Sequence, residues 1–160
     1  MAQEIERKFL LKNNNWKMEV SSSCYFNQGY LNQTEDRDNV KSSVRVRIEG
    51  DKANINIKSM TLSISRQEYE YSIPLDDATK MLDELCLKPL IEKNRHLVYR
   101  DGNKWEIDVF EGDNKGLVIA EIELDYEQAE FVKPDWLGAE VSEQQKYYNV
   151  CLVKHPYTHW

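Results

Sequence analysis

Charged side chains of a single sign recur two residues apart along most of the strand-like runs of this chain. Glu4 and Glu6 open the pattern, followed by Arg45 and Arg47, Glu68 and Glu70, Lys93 and Arg95, Glu106 and Asp108, and Glu121 and Glu123. Side chains alternate between the two faces of a strand, so each pair lies on one face, while Ile5, Val46, Ile107 and Ile122 lie on the other. Lys8 joins Glu4 and Glu6, and Lys58 shares a face with Asn54 and Asn56, opposite Ile55 and Ile57. A solvated strand face normally mixes signs, because like charges side by side repel and opposite cross-strand pairs stabilise. Here six bases and eight acids are sorted by sign onto candidate inner faces, an arrangement that is costly unless something neutralises it.

The chain as a whole narrows what that something is. Its 160 residues suit one domain, 1–160, with a sizeable core. A formal net charge of -7 argues against a nucleic-acid partner, though not against a local basic pocket for a small anion. Charges begin at Glu4 with no apolar run before them, so no signal peptide is expected. No apolar stretch approaches the ~20 residues of a membrane span, and no membrane partner is expected. Cys24, Cys86 and Cys151 are odd in number and widely spaced, which reads as reduced thiols in a cytoplasmic protein.

Period-two patterning predicts strands at 3–11, 24–31, 43–49, 53–59, 66–73, 91–100, 104–111 and 117–126. Short turn signals, Glu49-Gly50-Asp51 and Asp101-Gly102-Asn103 among them, make several of these antiparallel hairpins. One helix is expected over 76–87, capped by Asp76 or Asp77 and closed by Pro89. A second is expected over 142–153, begun by Ser142, and the polar segment 34–42 reads as a mobile loop. The fold class that follows is mainly β (α+β), with a few flanking helices. Eight hairpin-linked strands suit a sandwich or a barrel. A closed antiparallel barrel with a charged, wet lumen and apolar outer faces explains the sorted charges better than a sandwich with charged outer faces.

A charged lumen implies a ligand. Divalent metal ions hold carboxylates, and a polyanion holds guanidinium and ammonium groups, arginine in bidentate fashion and lysine as a point charge.

In order along the chain, Glu4-Ile5-Glu6-Arg7-Lys8, Gln28-Gly29-Tyr30-Leu31, Arg45-Val46-Arg47, Lys58, Glu68-Tyr69-Glu70, Lys93-Asn94-Arg95, Glu106-Ile107-Asp108 and Glu121-Ile122-Glu123-Leu124 resemble the CYTH superfamily of triphosphate tunnel metalloenzymes. Lys146-Tyr147-Tyr148-Asn149 is similar to the helix that closes one end of the tunnel in that family. The resemblance implies an eight-stranded tunnel that binds a small-molecule triphosphate with Mg²⁺ or Mn²⁺. It places Lys8, Arg45, Arg47, Lys58, Lys93 and Arg95 on phosphate oxygens. It makes Glu4, Glu6, Glu121 and Glu123 metal ligands, and gives Asp108, Glu68 and Glu70 supporting or second-metal roles. Glu4, Glu6, Lys8, Glu68, Glu70 and Asp108 form the implied catalytic set.

The implied chemistry is hydrolysis of a terminal phosphoanhydride, with tripolyphosphate the favoured substrate because little of the chain lies outside the tunnel elements. Thiamine triphosphate, a nucleoside triphosphate in a cyclase reaction, and non-catalytic polyphosphate or nucleotide binding are the alternatives. Trp16, Trp105 and Trp136 are the aromatic candidates for a platform at the tunnel mouth, with packing the better reading of each. No GxSxG or GxxxxGKS motif competes. His96, opposite in parity to Arg95, is expected to face outward. Oligomeric state is not legible in the sequence, and a homodimer is compatible with it.

Overall fold

The structure, a computed structural model, describes residues 3–36 and 38–160. Its strands are β1 (Gln3–Leu11), β2 (Val20–Tyr30), β3 (Ser42–Glu49), β4 (Lys52–Ser59), β5 (Ser65–Ser72), β6 (Ile91–Arg100), β7 (Asn103–Phe110), β8 (Val118–Glu123) and β9 (Leu137–Glu140). All neighbours are antiparallel, in the order β5-β4-β3-β2-β6-β7-β8-β1-β9, and an additional pairing of β5 with β1 closes eight strands into a barrel. Closure is possible because β1 is shared along its length. Gln3, Glu4 and Ile5 pair with β5, whereas Phe9 and Leu11 pair with β9. The opposite edge of β1 carries β8, with Glu6 facing Glu123 and Lys8 facing Glu121.

Eight strands thus lie where period two puts them, within a few residues. β9 was not anticipated: at four residues, with Gly138 inside it, it is too short to show a period. It is fixed instead by its partner, since a Cβ on Gly138 would stand 2.8 Å from the Leu10 carbonyl oxygen.

The core forms three apolar clusters, two on the outer face of the barrel and one across an end of its lumen, where Ile91, Phe110 and Ile119 share the inner parity of Lys93, Asp108 and Glu121. Phe9, Val98, Trp105, Ile107, Ala120 and Ile122 face outward and pack with Trp16, Trp136 and Leu137. Trp105 meets Trp136 edge-on at 5.6 Å, and both are fully buried. Such side chains supply roughly 1.5–3 kcal/mol each by burial. Val46 and Ala53 are covered by Ala78, Leu82 and Cys86, while Ile91, Phe110 and Ile119 are covered by the C-terminal segment from Tyr147 to Val153.

The helices are shorter than the sequence suggests. α1 (Leu75–Lys80) starts after Pro74, not at an aspartate cap. Asp76 and Asp77 fall in its first turn, where negative charge suits the helix dipole. It passes into a single π-helical turn, Met81–Leu85. The expected second helix is broken into a 3₁₀ turn, Gln145–Tyr147, and α2 (Asn149–Leu152). Tyr148 between them is extended (φ -75°, ψ 137°), and its hydroxyl donates to the Ser142 carbonyl at 2.7 Å. That hydrogen bond and the inward aim of Tyr148 and Asn149 win over helical continuity. The segment 34–42 joins β2 to β3 without strand or helix up to Ser42; Arg37 within it lies outside the described residues. Among the described residues, no helix is long and apolar enough to cross a membrane.

Candidate active site

The lumen holds a cavity of about 240 Å³. Parity brings its lining together: Glu4, Glu6 and Lys8 from β1, Arg45 and Arg47 from β3, Lys58 from β4, Glu68 and Glu70 from β5, Lys93 and Arg95 from β6, and Glu121 and Glu123 from β8. Tyr148, Asn149 and Val150 close one end beside Tyr30. Tyr69, in contrast, is exposed on the outer face.

Of the charged lining residues, Arg66 is not identified by the sequence and Glu106 is given a face there but no role. Arg66 has the parity of Glu68 and Glu70, which was the available signal, but it stands in a serine- and glutamine-rich run that looks like a solvated strand end. With them, seven bases and seven carboxylates line the cavity among the described residues.

Asp108 is placed differently from its neighbours. It has the inner parity but is fully buried and does not line the cavity. Lys93 Nζ donates to its Oδ2 at 2.7 Å, and Arg95 grips both of its oxygens, Nε to Oδ1 and Nη2 to Oδ2, at 2.8 Å each. Glu106, one methylene longer, does reach the cavity and accepts from Arg95 Nη1.

The charges divide into three groups. In the first, Lys58 Nζ donates to both Glu4 oxygens at 2.9 Å and lies 3.1 Å from Glu68, with Arg66 3.4 Å from Glu4. Burial alone would raise the Glu4 carboxyl, but Lys58 and Arg66 overcome it and hold the group down at about 2.

The second group is Glu6 and Glu121, which compete for one ammonium. Lys8 Nζ lies 2.8 Å from Glu6 and 3.1 Å from Glu121. Burial, then the nearby Glu121 charge, pushes Glu6 up to about 7 despite Lys8. Glu121 goes the other way, held well below its usual range as Lys8 and Arg95 outweigh its burial. Glu6 therefore resists ionisation beside Glu121, a conflict that a hard divalent cation relieves. All the donors are carboxylate oxygens, the ligand type that Mg²⁺ and Mn²⁺ prefer, so the residues present fit such an ion. Among the described residues the carboxylates do not form a ready-made cage, because their oxygens are turned to Lys8, Lys58 and Arg95.

The third group is a corner without a carboxylate partner. Among the described residues neither Arg45 nor Arg47 makes an ion pair, although both are more than nine-tenths buried. Arg47 donates to Gln28 Oε1 at 2.9 Å and stacks over Phe26 at 4.6 Å. Burial, with Arg45 and Arg95 close by, lowers the Arg47 guanidinium to about 9. Arg45 Nε, Asn54 Oδ1 and Asn56 Oδ1 are buried without a hydrogen-bond partner in the same quarter. The Arg45 Nε–H is a donor, and a buried donor left unpaired is expensive unless an anion completes it, whereas the two amide oxygens are acceptors that need a donor instead.

The aromatic and histidine candidates lie elsewhere. Trp16, Trp105 and Trp136 are core residues on the outer face. His96 faces outward, against Trp16 and 2.6 Å from Ser23 Oγ.

A closed antiparallel barrel with paired bases and carboxylates facing inward defines a class of tunnel proteins built around a polyanion and a cation. Residues 2–154 match the CYTH domain model, and the chain belongs to that family. It is 45% identical over 157 residues to an inorganic triphosphatase of Acetivibrio thermocellus, covering 98% of this chain and 97% of that protein. It is 34% identical over 153 residues to an inorganic triphosphatase of Nitrosomonas europaea, covering 94% and 96%. A solved structure of an inorganic triphosphatase superposes with a TM-score of 0.67 at 30% identity, covering 96% of this chain and 95% of that one. Membership of the family implies a divalent metal cofactor.

Proposed function

We propose that this chain is an inorganic triphosphatase, hydrolysing tripolyphosphate to pyrophosphate and phosphate with Mg²⁺ or Mn²⁺. The observation that carries the reading is the corner of Arg45 and Arg47, buried, facing the cavity and without a carboxylate partner. A linear triphosphate supplies the negative charge that corner lacks. The names of the relatives, similar over nearly the whole chain, support the same substrate.

In this reading Arg45 and Arg47 hold one end of the triphosphate, with Lys93, Arg95, Lys58 and Lys8 along its length. Guanidinium groups aimed in advance at phosphate oxygens stabilise the charge that builds on the transferring phosphoryl group, and a low-dielectric lumen strengthens them. Glu4, Glu6, Glu121 and Glu123 would hold the cation, with Glu68 and Glu70 supporting at the more open side. The cation, when bound, offsets phosphate charge and acidifies the attacking water. Water then attacks the terminal phosphorus as the bridging P–O bond breaks and pyrophosphate leaves. No Ser, Cys or His nucleophile is required. The cytoplasm is the setting we propose with this activity, on the cysteine pattern.

The test is phosphate release by purified protein from tripolyphosphate, thiamine triphosphate, ATP and pyrophosphate, with Mg²⁺ or Mn²⁺ and with excess chelator. Fastest release from tripolyphosphate, abolished by chelator, is expected. Cyclic AMP as the main product from ATP, or release that chelator leaves intact, overturns the reading.

A further inference from the structure

We propose that Asp108 is a positioning residue that sets the phosphate-binding side chains of Lys93 and Arg95, and is not a metal ligand. The inference rests on the triphosphatase reading above and assigns a role within that site.

The backbone makes the arrangement. Asp108 on β7 is the direct cross-strand partner of Arg95 on β6, so the ladder fixes their separation. Asp108 has one methylene, and Arg95 lies across it with two parallel hydrogen bonds. The carboxylate therefore ends beneath the guanidinium, fully buried, and the same Oδ2 also takes Lys93 Nζ. Arg95 and Lys93 line the cavity; Asp108 does not.

Three bases meet at this point, since Arg47, Lys93 and Arg95 all lie against the Phe26 ring, at 4.6, 5.8 and 4.9 Å. Gathered around one aromatic ring, they repel one another. Asp108 supplies the compensating charge from the side away from the lumen. Glu4 is also doubly paired, to Lys58, but it lines the cavity; what keeps Asp108 from an ion there is its place beneath the guanidinium, outside the cavity lining. Glu6 and Glu121, which do face the cavity, share a single ammonium and remain the better donors.

Asp108→Asn keeps the size of the side chain and removes its charge. In the full-length protein it is expected to raise KM for tripolyphosphate at least tenfold, with a smaller change in kcat. The Mg²⁺ concentration that half-activates at saturating substrate should stay within twofold of wild type. So should the rise in melting temperature that Mg²⁺ alone produces, which needs no turnover. Loss of that rise, or a tenfold higher half-activating Mg²⁺, makes Asp108 a ligand and overturns the proposal. A lower melting temperature with unchanged KM makes it merely structural and overturns it too. If Asp108→Asn does not fold, Asp108→Glu and Arg95→Lys, singly and together, replace it. Effects on KM that fail to add support action through Arg95, and additive effects refute it. A wild-type protein that releases no phosphate from tripolyphosphate defeats the functional reading. The Mg²⁺ melts still decide whether Asp108 is a ligand.

Discussion

Arg45 and Arg95 look alike in the sequence, each one of a basic pair on an inner face, but their surroundings give opposite consequences for removal. Arg45 makes no ion pair among the described residues, and its Nε is buried without a partner. Arg95 is gripped by Asp108, Glu106 and, at 3.6 Å, Glu121. Arg45→Ala removes a source of repulsion on Arg47 and, in the proposed role, a charge-assisted hydrogen bond to substrate worth roughly 1.5–3 kcal/mol. It is expected to leave the melting temperature level or higher while lowering kcat/KM by roughly ten- to a hundredfold. Arg95→Ala instead strands the buried Asp108 with Lys93 alone. Breaking a buried pair costs about 3–5 kcal/mol, so a fall in stability should accompany the loss of activity. Thermal melts beside phosphate-release kinetics on both variants check the contrast; equal destabilisation would mean that Arg45 has a partner in solution. This difference was not legible in the sequence. Parity places a side chain on a face, but its depth depends on its length and on what the register sets opposite it. Hence Glu106 reaches the cavity and Asp108 stops short.

At the scale of elements, the strands were readable because each repeats a two-residue period over six or more positions with a buried face to enforce it. Elements that owe their form to a partner were not. β9 exists because Gly138 allows it to approach Leu10, and α2 stops where Tyr148 turns inward. Gly29 on β2 is a third example. It lies between the lumen residues Gln28 and Tyr30 and points outward, where an added Cβ would meet Cys86 Cβ at 2.8 Å and Leu90 Cδ2 at 2.7 Å. The segment after the π-helical turn is held there by Leu87 N–H on the Tyr30 carbonyl at 2.9 Å, so it has little room to withdraw. Gly29→Ala is therefore an overpacking change, expected to cost about 1–3 kcal/mol, or roughly 2–12 °C in melting temperature. Because the clash falls on the outer face, kcat/KM measured well below the transition should remain near wild type. A large loss of activity with an unchanged melt would place the clash in the lumen wall instead.

For the whole molecule, a barrel charged in mid-lumen, with apolar residues outside it and across one end, stores unfavourable charge that the proposed substrate and cation would relieve. Glu6 makes this measurable through pH. Its carboxyl titrates at 4.5 when unperturbed and at about 7 in the folded protein. Between those values the native state keeps a proton that the unfolded chain has released, so the Glu6 contribution to stability falls as pH rises from 4.5 to about 7 and is flat above. Lys93, lowered to about 7 by burial, acts in the opposite sense and higher, adding stability as pH climbs from about 7 towards its ordinary 10.5. Comparing wild type with Glu6→Gln cancels the Lys93 contribution, since both proteins carry it. The variant resembles protonated Glu6, so at pH 5 the metal-free proteins should melt together. At pH 8 the variant should be the more stable by on the order of 2–3 kcal/mol, or about 5 °C. With Glu6 in the proposed ligand set, saturating Mg²⁺ should bind the folded state selectively and raise wild type at pH 8 well above its metal-free value, but raise Glu6→Gln much less, and phosphate release should fall in step. A difference between the metal-free proteins that is constant from pH 5 to pH 8 would remove the Glu6–Glu121 conflict. A metal response that survives in the variant would take Glu6 out of the ligand set.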